Sequence, residues 1–164
     1  MRSKALTPEE AYIRLAHLCS GSEQAPLTLE RKLLRWGIDE DEAEAILERL
    51  KAEGFVSERR FAVAFVRDKY RFNGWGPLRL RSELRRLGIP TEFIDEALEE
   101  LEEEEEHSTY EQVEGLLRKK YRTLPQGLER RKAFDRLMRY GLYRGYEYEE
   151  VREATRTILG DDDD

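Results

Sequence analysis

The sequence contains little of what metal sites, disulfides and membrane spans require. Its 164 residues include one cysteine, Cys19, and two histidines, His17 and His107. A single cysteine cannot form an internal disulfide, and these three side chains do not make up a zinc or iron site. No apolar run reaches the roughly 18 residues of a membrane helix, and residues 1–12 lack the apolar segment of a secretion signal. We therefore expect a cytoplasmic protein without a metal, a cofactor or a membrane segment.

Sequence features of catalytic sites are also scarce. The segment 74–77, Gly-Trp-Gly-Pro, has neither the lysine nor the spacing of a phosphate-binding loop. Carboxylates are abundant, but runs such as residues 102–106 belong to exposed helices, where burial does not separate the pKa values of two neighbours. No nucleophile has a base at a recognisable spacing. The sequence therefore predicts a protein that is not an enzyme.

Strand patterns are missing, and helix signals fill the chain instead. No alternating β-branched run of useful length occurs. Thr7, Pro8 and Glu10 form the pattern of a capping box with proline at the first helical position. About nine short helices follow from such start signals. The further predicted starts are Thr28, Asp39, Ser57, the Gly76-Pro77 pair, Thr91, Ser108, Glu129 and Glu147.

An internal repeat organises these helices. In three places a helix end is followed by glycine, at Gly37, Gly88 and Gly145, and then by an acidic helix. The intervals are 88 − 37 = 51 and 145 − 88 = 57 residues, and VRDKYR at 66–71 recurs as LRKKYR at 117–122. Glycine is the expected residue just past a helix end, because it adopts the left-handed conformation without steric cost.

The repeat predicts an all-α fold of three tandem three-helix repeats that form an elongated, curved array. We place the repeats at residues 5–54, 55–106 and 107–160, followed by an acidic tail at 161–164. Units of about 50 residues bury too little surface to be stable alone, so they are expected to stack on their neighbours.

Charge follows the same period, although the net charge is -7. Residues 59–86 contain nine basic and two acidic side chains, and residues 92–106 contain ten acidic and none basic. Residues 118–144 contain ten basic and two acidic side chains, and residues 145–164 contain eight acidic and two basic. In the second and third repeats, the first two helices are therefore basic and the third is acidic.

Two hypotheses explain this sorting. Basic and acidic helices could neutralise each other through solvated surface pairs. Alternatively, one basic surface binds a polyanion, either nucleic acid or an acidic protein surface. Clustering favours the second hypothesis, because a surface that serves only solubility intersperses the two signs. The acidic runs are interpreted as solvated ends, with a basic partner as the alternative.

Six aromatic residues lie beside the basic ones and could pack in a core or stack on unpaired bases. Core packing is favoured at these spacings, particularly for Tyr70 and Tyr121, which close equivalent helices. Trp36, just before Gly37, is also expected to pack between helices. The six are Tyr70, Phe72, Trp75, Tyr121, Tyr140 and Tyr143.

Four motifs carry a resemblance to a known family. Residues 76–89, GPLRLRSELRRLGI, are similar to the central signature of the RecX regulatory proteins. Residues 54–62, GFVSERRFA, resemble the link into that family's second repeat. Residues 116–121, LLRKKY, and 145–151, GYEYEEV, resemble its third. The motifs occur in the family's order, and the likeness covers residues 5–159.

The resemblance implies tandem three-helix repeats that bind the RecA recombinase. Members inhibit its ATPase, strand-exchange and coprotease activities by lying in the groove of the filament on single-stranded DNA and by blocking growth or promoting disassembly. We accordingly expect a monomer that spans neighbouring RecA subunits through several weak contacts. The expected RecA- or DNA-binding residues are Arg67, Lys69, Arg71, Arg79, Arg81, Arg85, Arg86, Arg118, Lys119, Lys120, Arg122, Arg130, Arg131 and Lys132.

The chain departs from the family pattern in two places. Residues 17–26, HLCSGSEQAP, are longer than the family's arginine-serine element and contain no arginine, and Leu87 stands where a basic residue is common. Two other classes of function stay open. One is a stand-alone nucleic-acid-binding protein that uses the same basic surface, marked by a steep salt dependence. The other is a scaffold that binds a basic protein through its acidic helices.

Overall fold

The computed structural model describes residues 5–105 and 108–160. Over these ranges the chain forms nine helices and no strand, as the sequence predicts. His107, Glu106 and the acidic tail at 161–164 lie outside the described residues. The helices are α1 (Pro8–Gly21), α2 (Pro26–Arg35), α3 (Glu40–Ala52), α4 (Glu58–Asn73), α5 (Pro77–Arg86), α6 (Thr91–Glu104), α7 (Thr109–Thr123), α8 (Arg130–Tyr143) and α9 (Tyr148–Leu159).

Local capping signals set the starts of several helices. The Thr7 hydroxyl accepts from the Glu10 amide while the Glu10 carboxylate accepts from the Thr7 amide, which confirms the capping box. The Asp39 and Ser108 side chains cap α3 and α7 in the same way, each accepting a backbone N–H three residues on. Because these bonds satisfy otherwise unpaired amides, short polar residues fix where these three helices begin.

The predicted start at Thr28 is wrong by two residues. Helix α2 begins at Pro26, with Ala25 as an N-cap that offers no side-chain hydrogen bond. Proline needs no amide partner at the first helical position, and its fixed φ already suits the helix. The proline therefore starts the helix before the threonine can cap it.

The three repeated glycines end their helices as predicted. Gly37, Gly88 and Gly145 have φ of 85°, 76° and 96°. After each, the next residue's amide donates to a carbonyl five residues back, as from Ile38 to Leu33 at 3.0 Å and from Ile89 to Leu84 at 3.1 Å. This hydrogen-bond pattern is that of a Schellman cap, so one local geometry recurs after α2, α5 and α8. Gly54 after α3 has it as well, with a φ of 80° and the Phe55 amide donating to the Leu50 carbonyl at 2.9 Å.

The first three helices enclose one apolar core. Helix α3 packs against both α1 and α2. Leu15, Leu29, Leu33 and Leu50 are fully buried, one or two from each helix. Burying each such side chain contributes about 1.5–3 kcal/mol. Trp36 packs against this core at its partly buried edge, which confirms its predicted role.

The last three helices enclose a second core of the same kind. Helices α7, α8 and α9 pack pairwise on one another. Val113, Leu117, Leu137 and Val151 are fully buried there. Each of these helices is therefore held by one apolar stripe, which leaves its polar faces available for other contacts.

Backbone contacts divide the chain into two compact units. One comprises the residues up to Phe65 together with Leu84–Ala97, and the other comprises Val66–Glu83 together with the chain from Leu98 onward. Helices α4, α5 and α6 each contribute residues to both units. None of the described helices has the length and apolar character that crossing a bilayer requires.

Candidate polyanion-binding surface

The first turns of α4 place two arginines beside carboxylates. The Arg59 guanidinium lies 3.1 Å from the Glu96 carboxylate of α6, and Arg60 lies 2.9 Å from Glu23. Arg60 also donates to the carbonyl of Gly54 at 2.7 Å. These cations are therefore already engaged within the protein, as the hypothesis of mutual neutralisation expects.

The later turns of α4 repeat this pairing with the end of α6. Arg67 donates to the Glu104 carboxylate at 2.8 Å through Nε and also contacts Glu100 at 3.4 Å. Arg71 lies 3.0 Å from Glu105. The hydrogen bond from Arg67 holds the pKa of Glu104 below its usual range, and the same bond raises the pKa of Arg67. The pairing therefore favours the charged form of both groups.

A close backbone contact joins the loop before α5 and the first turn of α5 to the turn after α8. The Gly76 amide donates to the Arg144 carbonyl at 2.7 Å, and the Leu78 amide donates to the Gly145 carbonyl at 3.0 Å. The buried Tyr146 hydroxyl donates to the Gly74 carbonyl at 3.1 Å. Burial raises the pKa of Tyr146, so it stays a neutral donor at physiological pH.

Glycine is required at this contact for steric reasons. A Cβ at Gly76 would lie 2.5 Å from the Gly145 carbonyl oxygen, and a Cβ at Gly145 would lie 2.5 Å from the Arg79 amide. Gly145 also has a φ of 96°, which other residues rarely adopt. The motif residues of α5 and of the 145–151 segment therefore meet because neither glycine carries a side chain.

Arg79 lies over this contact between two aromatic rings. Its guanidinium carbon is 4.1 Å from the Trp75 ring centroid and 4.7 Å from that of Tyr143, and it donates to the Tyr143 carbonyl at 3.4 Å. Lys69 is 5.1 Å from the same Trp75 ring. Because two rings and one carbonyl contact its guanidinium, Arg79 stabilises the packing of this region in addition to contributing a positive charge.

Most cations of α7 and α8 lack carboxylate partners. Arg118 pairs with Glu114 at 2.7 Å, and Arg130 donates to the Leu159 carbonyl at 2.7 Å and to Gly160, at the end of α9. Six others are exposed and form no ion pair with any residue in 5–105 or 108–160. These six are Lys119, Arg122, Arg131, Lys132, Arg136 and Arg139.

A cleft of about 500 Å³ lies between the end of α7 and the second half of α8. It is lined by Lys120, Thr123, Leu124, Arg136, Arg139, Tyr140 and Tyr143. Lys120 and Arg144 lie 5.3 Å and 5.0 Å from the Tyr140 ring centroid. Tyr143 is 71% exposed. Cations without carboxylate partners and tyrosine rings thus share one concave surface. Basic and aromatic side chains are combined in this way in sites that bind single-stranded nucleic acid.

Comparison with known proteins identifies the family. The model of the second three-helix domain of RecX matches residues 57–98, and the model of the third matches residues 108–155. The regulatory protein RecX of Xanthomonas axonopodis pv. citri is 38% identical over 165 residues, which cover 98% of this chain and 93% of the relative. The chain belongs to the RecX family.

Other RecX proteins support the assignment. That of Xanthomonas oryzae pv. oryzae strain PXO99A is 35% identical over 165 residues, covering 98% of this chain and 93% of its own. The crystal structure of RecX from Lactobacillus salivarius has a TM-score of 0.71 at 19% identity, covering 92% of this chain and 96% of that chain. A second RecX crystal structure has a TM-score of 0.73 at 23% identity, covering 92% and 71%. At these identities, the two structures support the all-helical fold.

Within this RecX chain, the expected binding residues fall into two groups. One group is held by partners inside the protein: Arg67, Lys69, Arg71, Arg79, Arg81, Arg86, Arg118, Lys120 and Arg130. The other group is exposed without an ion pair to a described residue: Arg85, Lys119, Arg122, Arg131 and Lys132. Sequence reasoning assigned both groups to one contact surface, because the pattern of charge along a chain does not reveal its tertiary partners.

Two cleft residues were absent from the expected set. Arg136 and Arg139 lie on one face of α8 with Tyr140 and Tyr143, at the helical spacing of three, four and seven residues. That spacing is visible in the sequence, so it could have identified them beside the tyrosines.

The aromatic residues beside the basic ones divide into buried and exposed rings. Tyr70 is 4% exposed, which confirms its predicted core position, and burial raises its pKa to about 12. The same prediction for Tyr121 is wrong, since this ring is 44% exposed. Phe72, at 83% exposed, and Tyr143 also lie outside the core.

The described residues contain neither a cluster of metal-binding side chains nor a disulfide bond. No set of three His, Cys, Asp or Glu side chains there could hold a metal ion. Cys19 is half-buried without a disulfide partner, and burial raises its pKa. A raised pKa keeps the thiol protonated and unreactive, which is typical of a packing position.

Proposed function

We propose that this RecX protein binds the RecA recombinase filament on single-stranded DNA and inhibits the ATPase, strand-exchange and coprotease activities of RecA. The unpaired cations of α7 and α8 are the observation that carries the proposal. Membership of a family of regulatory proteins supports the same role. The protein acts as a monomer, in the cytoplasm, through binding rather than through catalysis.

The proposed mechanism relies on several weak contacts distributed along tandem repeats. The repeat boundaries we propose are residues 5–54, 55–106 and 107–160, and the two family-model matches fall inside the second and third. Each contact alone is weak because exposed charges are screened. Contacts on one chain combine, since the first one raises the effective concentration of the others. The basic residues expected from the sequence contribute to this surface, and the exposed ones of the third repeat contribute most.

The first test is the single-strand-dependent ATPase rate of RecA from the same organism. The rate is titrated with this protein at fixed DNA and salt concentrations. We expect inhibition well below one protein per RecA subunit, because a protein that caps or disassembles filaments acts on many subunits at once. An unchanged ATPase rate with the protein in excess would contradict the proposal.

A second candidate function is nucleic-acid binding without RecA. The exposed Tyr143 ring beside Arg136 and Arg139 favours it, because stacking and phosphate pairing need no recombinase. Direct binding to single-stranded DNA would show a log-log salt slope of about -0.7 for each phosphate contacted. Inhibition of RecA and direct binding are separate measurements, so one can fail while the other holds.

A further inference from the structure

The cleft between α7 and α8 has the composition of a nucleotide site. Its volume of about 500 Å³ is in the range of small-molecule pockets, which run from about 300 to 1,000 Å³. We infer that it binds a short stretch of single-stranded nucleic acid, with phosphates at Lys120, Arg136 and Arg139 and a base stacked on Tyr143. The inference deepens the proposed function by naming the ligand of one repeat.

The charge of the cleft is uniformly positive. None of its lining residues is acidic, and Lys120, Arg136 and Arg139 form no ion pair with a residue that the structure describes. Arg144 does not line the cleft and donates to the Asn73 carbonyl, but its guanidinium lies 5.0 Å from the Tyr140 ring centroid. Like charges that converge in a concave surface raise the local potential, and an anion relieves their repulsion. The cleft therefore attracts a ligand with at least two negative charges.

The two tyrosines of the cleft differ in their exposure and in the cations that contact their rings. Tyr140 has a cation near its ring from both Lys120 and Arg144, and it is half-buried. Tyr143 is 71% exposed, one helical turn further on, and Arg79 fixes its position at 4.7 Å from the ring. An exposed ring whose position is fixed loses little entropy when a base stacks on it. Tyr143 is therefore the stacking residue, and Tyr140 positions the cations.

Helix geometry spaces the phosphate and base contacts along one line. Arg136, Arg139 and Tyr143 lie at intervals of three and four residues, so they project from one face of α8 over about 10 Å of its axis. An acidic peptide would satisfy the cations but would leave the tyrosine ring without a planar partner. A nucleotide satisfies both, and for this reason we assign the cleft to nucleic acid.

The test measures binding of fluorescein-labelled (dT)12 to the full chain by anisotropy, without RecA. Substituting both Arg136→Gln and Arg139→Gln is expected to weaken binding about tenfold and to reduce the salt slope by about 1.4, the share of two phosphate contacts. The matched control is Arg31→Gln with Arg35→Gln, two exposed arginines of α2 that form no ion pair with a described residue. The control is expected to change affinity less than about threefold.

A second arm tests the stacked base. The parent protein is expected to bind (dT)12 at least about fivefold more tightly than an abasic strand of the same length. Tyr143→Leu should abolish that preference, and Tyr143→Phe should keep it, because the phenyl ring still stacks. Circular dichroism of each variant checks its helix content.

Three outcomes would overturn the inference. One is an equal loss of affinity in the cleft and control doubles, which would indicate delocalised charge. Another is equal affinity for the (dT)12 and abasic strands. The third is displacement by polyglutamate that depends on Arg136 and Arg139, with no preference for a base, which would assign the cleft to an acidic protein segment. Each leaves the RecA ATPase test unaffected, so failure here is distinct from failure of the proposed function.

Discussion

Helix α4 and helix α8 are both rich in arginine, yet they use the charge differently. Four arginines of α4, at positions 59, 60, 67 and 71, lie within 3.1 Å of a carboxylate oxygen in the same protein. On α8, Arg131, Arg136 and Arg139 form no such pair with any residue in the described ranges. The ion pairs of α4 therefore agree with mutual neutralisation, whereas the exposed arginines of α8 are the ones we propose for binding a polyanion.

The difference shows that net charge along a segment does not measure its attraction for a polyanion. A paired arginine must first give up its carboxylate, and the freed carboxylate then repels the ligand. An unpaired, exposed arginine has only its hydration to lose. Residues 59–86 and 118–144 are nearly equal in basic content, but the second segment presents more charge to a partner.

The largest effect is expected from removing four unpaired cations together. The variant carries Lys119→Gln, Arg122→Gln, Arg136→Gln and Arg139→Gln, and its matched counterpart carries glutamine at Arg59, Arg60, Arg67 and Arg71. At about 0.7 kcal/mol per exposed contact, the first variant should inhibit the RecA ATPase on the order of 100-fold less well. The counterpart should lose less than tenfold. Equal losses of inhibition in the two variants would show that pairing with carboxylates does not decide which cations contribute to binding.

The second prediction concerns the contact that holds Arg79 and Tyr143 in place. Gly145→Ala should lower the free energy of unfolding by about 2–4 kcal/mol, from left-handed strain and from collision with the Arg79 backbone. Gly127→Ala is the control, since Gly127 has a φ of 79° and no atom within 4 Å of an added Cβ. Its expected cost is about 1 kcal/mol. Urea unfolding of both variants measures the difference, and equal costs would show that the close approach contributes nothing.

The smallest expected effect is an increase in affinity for single-stranded DNA. Glu100→Gln with Glu104→Gln removes the carboxylates that hold Arg67, so affinity for (dT)12 should rise about threefold. Glu44→Gln with Glu48→Gln removes the same charge from α3, where both side chains are exposed and form no ion pair with a described residue. If the control variant gains as much as the first, release of Arg67 is not the cause.

Local rules explain why so much of the fold could be predicted from the sequence. The capping box at Thr7 and the glycine after each repeated helix end depend on residues within one turn of each other. The predicted start at Thr28 is wrong for an equally local reason, because Pro26 begins the helix two residues earlier. Since these signals require no tertiary contact, they can be identified in the sequence alone.

The candidate site depends on contacts between distant residues, so less of it could be predicted. Tyr70 and Tyr121 close equivalent motifs, but Tyr70 is buried where Gln112 of α7 donates to its carbonyl at 3.3 Å. Tyr121, at the equivalent position of α7, is 44% exposed. The partners of Arg67 are 33 and 37 residues away, and no local pattern selects them.

The meeting of Gly76 and Gly145 also limits how the chain can change in length. Two backbone hydrogen bonds, from Gly76 in the loop before α5 and from Leu78 in the first turn of α5, fix this segment against the turn after α8. Inserting or deleting one residue in either segment would move these amides out of register with their carbonyls. In the loop that contains Gly127, by contrast, an added Cβ would meet nothing within 4 Å. Variation in length among related chains should therefore concentrate in the 124–129 loop and avoid residues 74–77 and 144–146.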